Sequence, residues 1–190
     1  MDPKVLFAKA VESASLCIRR ITPDDMGKPT PCSEWDLRAL LNHLVYELLW
    51  VPDLLMGKTV AEVGTKHDGD VLYSDPQSAW QHAADGALVA IKHADPSAVV
   101  HLSYGDKSAE YYIVEIANDV LIHGWDIGRS LHCSVVFDEA VAKVLYDVFL
   151  PRREELASNG SFGTPVEVGS DAPIQVKLLA LMGRHADTEP

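Results

Sequence analysis

A chain of 190 residues, 47% hydrophobic and 23% charged, is large enough to bury one core, and a single domain over 1–190 is expected. A formal net charge of −12, with no clustered Lys and Arg, repels polyanions and excludes nucleic acid as a partner. No apolar run approaches the roughly 20 residues that span a bilayer, and Met1-Asp2-Pro3-Lys4 is not a secretory start, so no membrane partner and a cytoplasmic location are expected.

Asp2 and Pro3 announce a first helix running to about Arg20, and prolines then open a loop through Pro31. The spacing predicts a second helix from Ser33, with Asp36 three residues on. Its apolar stripe is Leu37, Leu40, Leu41, Leu44 and Leu48, while Ala39, His43, Tyr46 and Trp50 share another side, as in a wall between core and pocket. Residues 58–74 read as a long loop placed to cover a site. Asp75-Pro76 opens a third helix ending near His93. Val99 to Asp106 forms a short extended segment with a turn, and a fourth helix runs from about Ala109 to Ser130. Asp138 caps a fifth helix that Pro151 kinks or interrupts. After a loop over 159–165, Asp171-Ala172-Pro173 opens a last short helix stopping at Gly183, with a frayed tail from about residue 184. Cys17, Cys32 and Cys133, odd in number and far apart, read as free thiols. The fold class expected is all-α, a bundle of four main helices with extra short helices and a minor extended segment.

Asp119 and His123 are four residues apart on the fourth helix, which stacks a carboxylate and an imidazole within reach of one ion. Tyr112 and Ile116 precede them on the same side, and Asp126 follows. The same spacing also suits an ordinary helix pair worth a few tenths of a kcal/mol without any ion. His43, on another helix, supplies a third ligand and leaves coordination positions open, the form of a catalytic site. The other six histidines lack partners at useful spacing. No Gly-x-Ser-x-Gly, no phosphate-binding Gly-rich loop and no Cys/His/Asn arrangement is present.

The strings Pro29-Thr30-Pro31-Cys32-Ser33-Glu34-Trp35-Asp36, Leu40-Leu41-Asn42-His43-Leu44-Val45 and Asp119-x-x-x-His123-Gly124-Trp125-Asp126-Ile127-Gly128-Arg129 together resemble an actinobacterial family. It is related to the N-terminal domain of mycothiol-dependent maleylpyruvate isomerase. Gly105-Asp106, Phe162-Gly163-Thr164-Pro165 and Leu178-Leu179-Ala180-Leu181-Met182-Gly183-Arg184 extend the likeness over nearly the whole chain. The resemblance implies a DinB-like four-helix bundle with a divalent ion, zinc first and nickel second, on His43, Asp119 and His123. The isomerase pattern has Glu where this chain has Asp119, one methylene shorter, and the isomerase has a second C-terminal domain for which this chain leaves no room.

Such an ion polarises a substrate oxygen, lowers the pKa of bound water or holds a thiol as thiolate. Asp126 is a candidate orienter of the ligands, Arg129 a candidate substrate-carboxylate contact, and Trp50, Tyr112 and Trp125 candidate pocket walls. Three functions stand open: a mycothiol-dependent S-transferase or isomerase acting on a small molecule, a metal-dependent hydrolase, and a non-catalytic module binding a metal or small molecule. The oligomeric state is left open, a homodimer included.

Overall fold

The computed structural model describes residues 1–159 and 162–186. Asp2 caps α1 (Pro3–Ile18) by accepting from the Lys4 amide at 2.8 Å. α2 (Leu37–Leu55) starts four residues later than its expected Ser33, because Asp36, not Ser33, is the cap and accepts from the Ala39 amide. The amides of Leu37 and Arg38 turn back to the Lys28 and Met26 carbonyls at 2.9 and 3.0 Å, which folds residues 29–36 into a closed loop rather than a helical turn. All five leucines of the predicted stripe are fully buried, each contributing about 1.5–3 kcal/mol.

The expected loop over 58–74 contains one helical turn, α3 (Val60–Val63), held by a capping box between Thr59 and Glu62. α4 (Pro76–His93) is capped by Asp75. The extended segment is an antiparallel hairpin, β1 (Val99–Leu102) with β2 (Gly105–Ser108), in the register Val99 to Ser108 and Leu102 to Gly105. Ser108 then caps α5 (Ala109–Ser130), which has the predicted bounds. α6 (Glu139–Phe149) breaks at Pro151 through a tight turn over Leu150–Arg152 into α7 (Arg153–Asn159). α8 (Ile174–Leu181) ends at Gly183, whose φ of +78° reverses the chain.

α1 packs on α5 and α4, and α2 on α4 and α5, closing a four-helix bundle with α6 and α8 paired beside it. A Cβ on Gly124 would lie 2.6 Å from the Ala14 Cβ, so α1 and α5 touch with no room for a side chain. Gly124→Ala is expected to destabilise by about 1–3 kcal/mol, measurable by chemical denaturation.

Two expectations are corrected. Cys17 and Cys133 are not free thiols: they form a disulfide across 116 residues of sequence, since the end of α1 and the segment after α5 lie side by side. Cys32 alone keeps its thiol. The tail is not frayed from residue 184: Arg184 is buried, and its amide bonds the Leu179 carbonyl at 2.8 Å. Residues 187–190 of that tail, and Gly160 and Ser161 of the expected loop, lie outside the described residues. Among the described residues no helix is long and apolar enough to cross a membrane.

Candidate metal centre and its cavity

α2 and α5 face one another across a cavity of about 1090 Å³. From α2 it takes His43, Tyr46, Glu47 and Trp50, and from α5 Tyr112, Glu115, Ile116, Asp119 and His123, so each wall repeats at the three- and four-residue spacing of a helix face. The closed loop before α2 adds Cys32, Glu34 and Trp35, the hairpin adds Tyr104, and the segment after α8 adds Gly183 and Arg184.

His43, Asp119 and His123 come together at this seam. The Nε2 of His43 is 3.5 Å from one Asp119 oxygen, and the Nε2 of His123 is 3.4 Å from the other. One ligand atom from each residue lies within 4.8 Å of the others, and two ligands of a tetrahedral zinc ion, each about 2.1 Å from the metal, lie roughly 3.4 Å apart, so small side-chain shifts bring the three onto one ion. Asp119 Oδ2 is also buried with no hydrogen-bond partner, a vacancy in bonding that costs free energy and that a cation would fill. Burial alone would raise the Asp119 pKa, but the His123 and His43 rings outweigh it and hold the carboxyl below its usual range.

Each imidazole presents its other nitrogen to a carboxylate. His123 Nδ1 is 2.9 Å from Asp126 Oδ2, and His43 Nδ1 is 4.0 Å from Glu47 Oε1. The 2.9 Å contact fixes the His123 tautomer that leaves its Nε2 free as a ligand, while Glu47 faces His43 beyond hydrogen-bond distance. Arg184 in turn donates to both Asp126 oxygens, at 2.6 and 3.2 Å, and to the Met182 carbonyl. Burial would raise the Asp126 carboxyl, but His123 and Arg184 hold it below the ordinary value. Cys32, His123 and Asp126 form a second group with metal-ligand spacing, but there Arg184 Nη2 already sits 3.3 Å from the Cys32 sulfur, so the cation position is taken by a guanidinium. Burial, then the charge of Asp126, pushes the Cys32 thiol up to about 12, so it remains an S–H donor to Asp126. Burial and the Asp119 charge push Glu47 up to about 7, a value suited to proton exchange near neutrality.

Of the predicted pocket walls, Trp50 and Tyr112 line the cavity, and both bring a buried polar atom without a partner, the indole Nε1 and the phenol oxygen. Trp125 is buried but does not line the cavity, and Arg129 stacks over it at 5.4 Å, away from the site. The arginine of the site is Arg184. Sequence reasoning missed Arg184, Trp35 and Glu47. The His43-x-x-x-Glu47 spacing, the same as that of Asp119 and His123, was a usable signal for Glu47. Nothing local signals that Trp35 stacks 4.8 Å from His43. His67, outside the triad, is buried against Asp53 at 3.0 Å.

A family model for the mycothiol maleylpyruvate isomerase N-terminal domain matches residues 7–128. Two uncharacterized proteins of Mycobacterium tuberculosis are each 28% identical to this chain over 148 residues, 75% of this chain and 74% of theirs. A crystal structure of mycothiol-dependent maleylpyruvate isomerase matches with a TM-score of 0.71 at 16% identity, covering 97% of this chain and 89% of that chain. A mutant form of mycothiol-dependent maleylpyruvate isomerase matches with a TM-score of 0.66 at 15% identity, over 83% and 71%. At these identities the structures establish a shared fold. The likeness in fold reaches past the span of the family model.

Proposed function

The chain belongs to the mycothiol maleylpyruvate isomerase N-terminal domain family, and from that premise we propose that it is a divalent-metal-dependent enzyme using a low-molecular-weight thiol, mycothiol, to transfer or rearrange a small molecule. The observation that carries this reading is the buried Asp119 carboxylate, with the His43 Nε2 3.5 Å from the oxygen that lacks a hydrogen bond and the His123 Nε2 3.4 Å from the other. His43, Asp119 and His123 would hold the ion, with zinc favoured over nickel by the nitrogen and carboxylate donors. A bound ion supplies charge that keeps a thiol as thiolate or polarises a substrate oxygen.

The chain's own residues do the rest. Asp126, braced by Arg184, fixes the His123 ring, and Glu47 faces the His43 ring. Glu47, whose carboxyl burial and the Asp119 charge push up to about 7 in the metal-free chain, is the group placed to exchange a proton beside the triad. Trp35 lies tilted against both imidazoles from the loop side, 4.8 Å from the His43 ring and 6.0 Å from the His123 ring. Three protein ligands leave a position open for thiol or substrate.

The test supplies zinc-loaded protein with small electrophiles, with and without mycothiol. Turnover that requires the thiol and disappears in His123→Ala is the expected result. Equal turnover without thiol would make the protein a hydrolase, and bound metal without turnover would make it a binding module. Metal affinity should also depend on pH. Burial lowers the His43 pKa, but Asp119 and Glu47 more than restore it, so its net pKa is raised. A protonated His43 cannot ligate, and affinity should therefore rise as pH climbs through and above the ordinary histidine range, read by a chelator-competition titration.

A further inference from the structure

Where the hairpin, α5 and the turn after α6 meet at the cavity wall, one arginine carries two carboxylates. Arg152 lines the cavity together with Tyr104, Glu115, Phe149 and Glu155. Its Nη1 donates to Glu115 at 3.1 Å, and its Nε and Nη2 donate to the two oxygens of Glu155, each at 3.2 Å. The guanidinium is also held over the rings of Tyr111 and Phe149, with Cζ 5.2 and 5.5 Å from their centroids. Glu115 precedes Asp119 by four residues on α5, so its pair with Arg152 stands about one helical turn, roughly 6 Å, before the triad.

The two carboxylates are not equivalent. Glu115 is a fixed partner: its side chain is 21% exposed, and Tyr104 donates its hydroxyl to the oxygen that Arg152 leaves. The Glu155 side chain is 57% exposed, sits in the first turn of α7 and lies three residues from Arg152. It takes the Nε–Nη2 edge, the two-pronged face with which arginine recognises carboxylates, at contacts longer than the roughly 2.7–2.9 Å usual for charged pairs. An exposed pair of this spacing favours its closed form by no more than about 5-fold. The cavity wall therefore presents an arginine edge shaped for a carboxylate and covered by a loosely held carboxylate of the chain's own.

We propose that Glu155 is a built-in placeholder, and that a ligand carboxylate entering the cavity exchanges with it on the Nε–Nη2 edge of Arg152. The inference rests on the reading of the cavity as the substrate site. It names the residue that takes a ligand's carboxylate and the residue that competes for it. Exchange conserves charge at the guanidinium: one carboxylate leaves as another arrives, and the released Glu155 gains water where it is already more than half exposed. Glu115, Tyr111 and Phe149 keep the guanidinium in position throughout, so the ligand supplies little of the ordering. Arg184, which also lines the cavity, is not open to such exchange, because its partner Asp126 is fully buried and has no path to water as a free carboxylate.

The experiment titrates metal-free protein with propionate at physiological ionic strength, with propionamide as the neutral control, and follows the Tyr111 ring and Arg152 Nε–H resonances. Propionate is expected to shift both saturably, and propionamide neither. Glu155→Gln should tighten propionate about 3-fold or more by removing the competitor. Glu154→Gln removes an equal charge from the neighbouring exposed residue and should change the affinity by less than about 1.5-fold, because salt screens an exposed charge. Arg152→Lys, which keeps the charge and loses the fork, should weaken propionate by about 10-fold, read at Tyr111. Equal tightening in Glu155→Gln and Glu154→Gln, an unweakened Arg152→Lys, a propionamide response equal to that of propionate, or no saturable shift would overturn the proposal. Because the protein is metal-free throughout, the result stands whether or not the triad binds an ion, and the two readings fail separately.

Discussion

Arg184→Met is expected to destabilise the protein by about 3–5 kcal/mol at neutral pH, the usual loss when one partner of a buried ion pair is removed. Asp126 is fully buried, and Arg184 supplies two of its contacts at 2.6 and 3.2 Å. Without the guanidinium, an ionised carboxylate is left facing only His123 and the Cys32 thiol. The pH dependence has a definite sign. The folded-state pKa of Asp126 is depressed, so the stability from its ionised form is present above the ordinary carboxylate range and is lost as pH falls through the depressed value. The gap between the unmodified protein and the variant should narrow in strong acid. Adding Asp126→Leu to Arg184→Met should return most of the lost stability, since an apolar pair can replace a buried ionic one. Urea denaturation of the three proteins measures this, and a loss below about 1 kcal/mol in Arg184→Met would place Arg184 outside the buried network.

Asp119→Asn is expected to lower metal affinity by roughly 10-fold or more, because even the loss of residues that only orient ligands costs 10–100-fold. Asp119→Glu, which restores the longer side chain of the isomerase pattern, should preserve it. Metal-free Asp119→Asn should also lose some stability near neutral pH, because, against burial, His123 and His43 hold the Asp119 carboxyl below its usual value and so favour its ionised form in the fold. Asp119→Glu, which keeps the charge, serves as the control that separates a ligand from a structural residue. Chelator competition and thermal melting give the two readings, and equal affinity in Asp119→Asn would remove Asp119 from the site and favour a binding module.

What could be read from the sequence was what the helical period encodes. The leucines of α2, the bounds of α5 and the stacking of Asp119 on His123 depend on neighbours three and four residues away, and those positions were legible. The start of α2 was not, since Ser33 and Asp36 both carry cap-forming side chains, and the hydrogen bonds from Leu37 and Arg38 back to Lys28 and Met26 decide between them. Contacts between distant segments were also invisible. Cys17 meets Cys133 because the end of α1 lies beside the segment after α5, and Arg184 meets Asp126 from 58 residues away because the chain after α8 packs against α5. Arg129 looked like the arginine of the site because it sits near Asp126 in sequence. The helix turns it instead onto Trp125.

The central claim, one ion held by α2 and α5 together, is tested most directly by elemental analysis of purified protein beside its His43→Ala variant, both re-equilibrated with zinc and freed of excess. About one zinc per chain in the unmodified protein and close to none in the variant is the expected result, because two remaining ligands do not hold a catalytic-type ion. Equal, stoichiometric zinc in both proteins would contradict it.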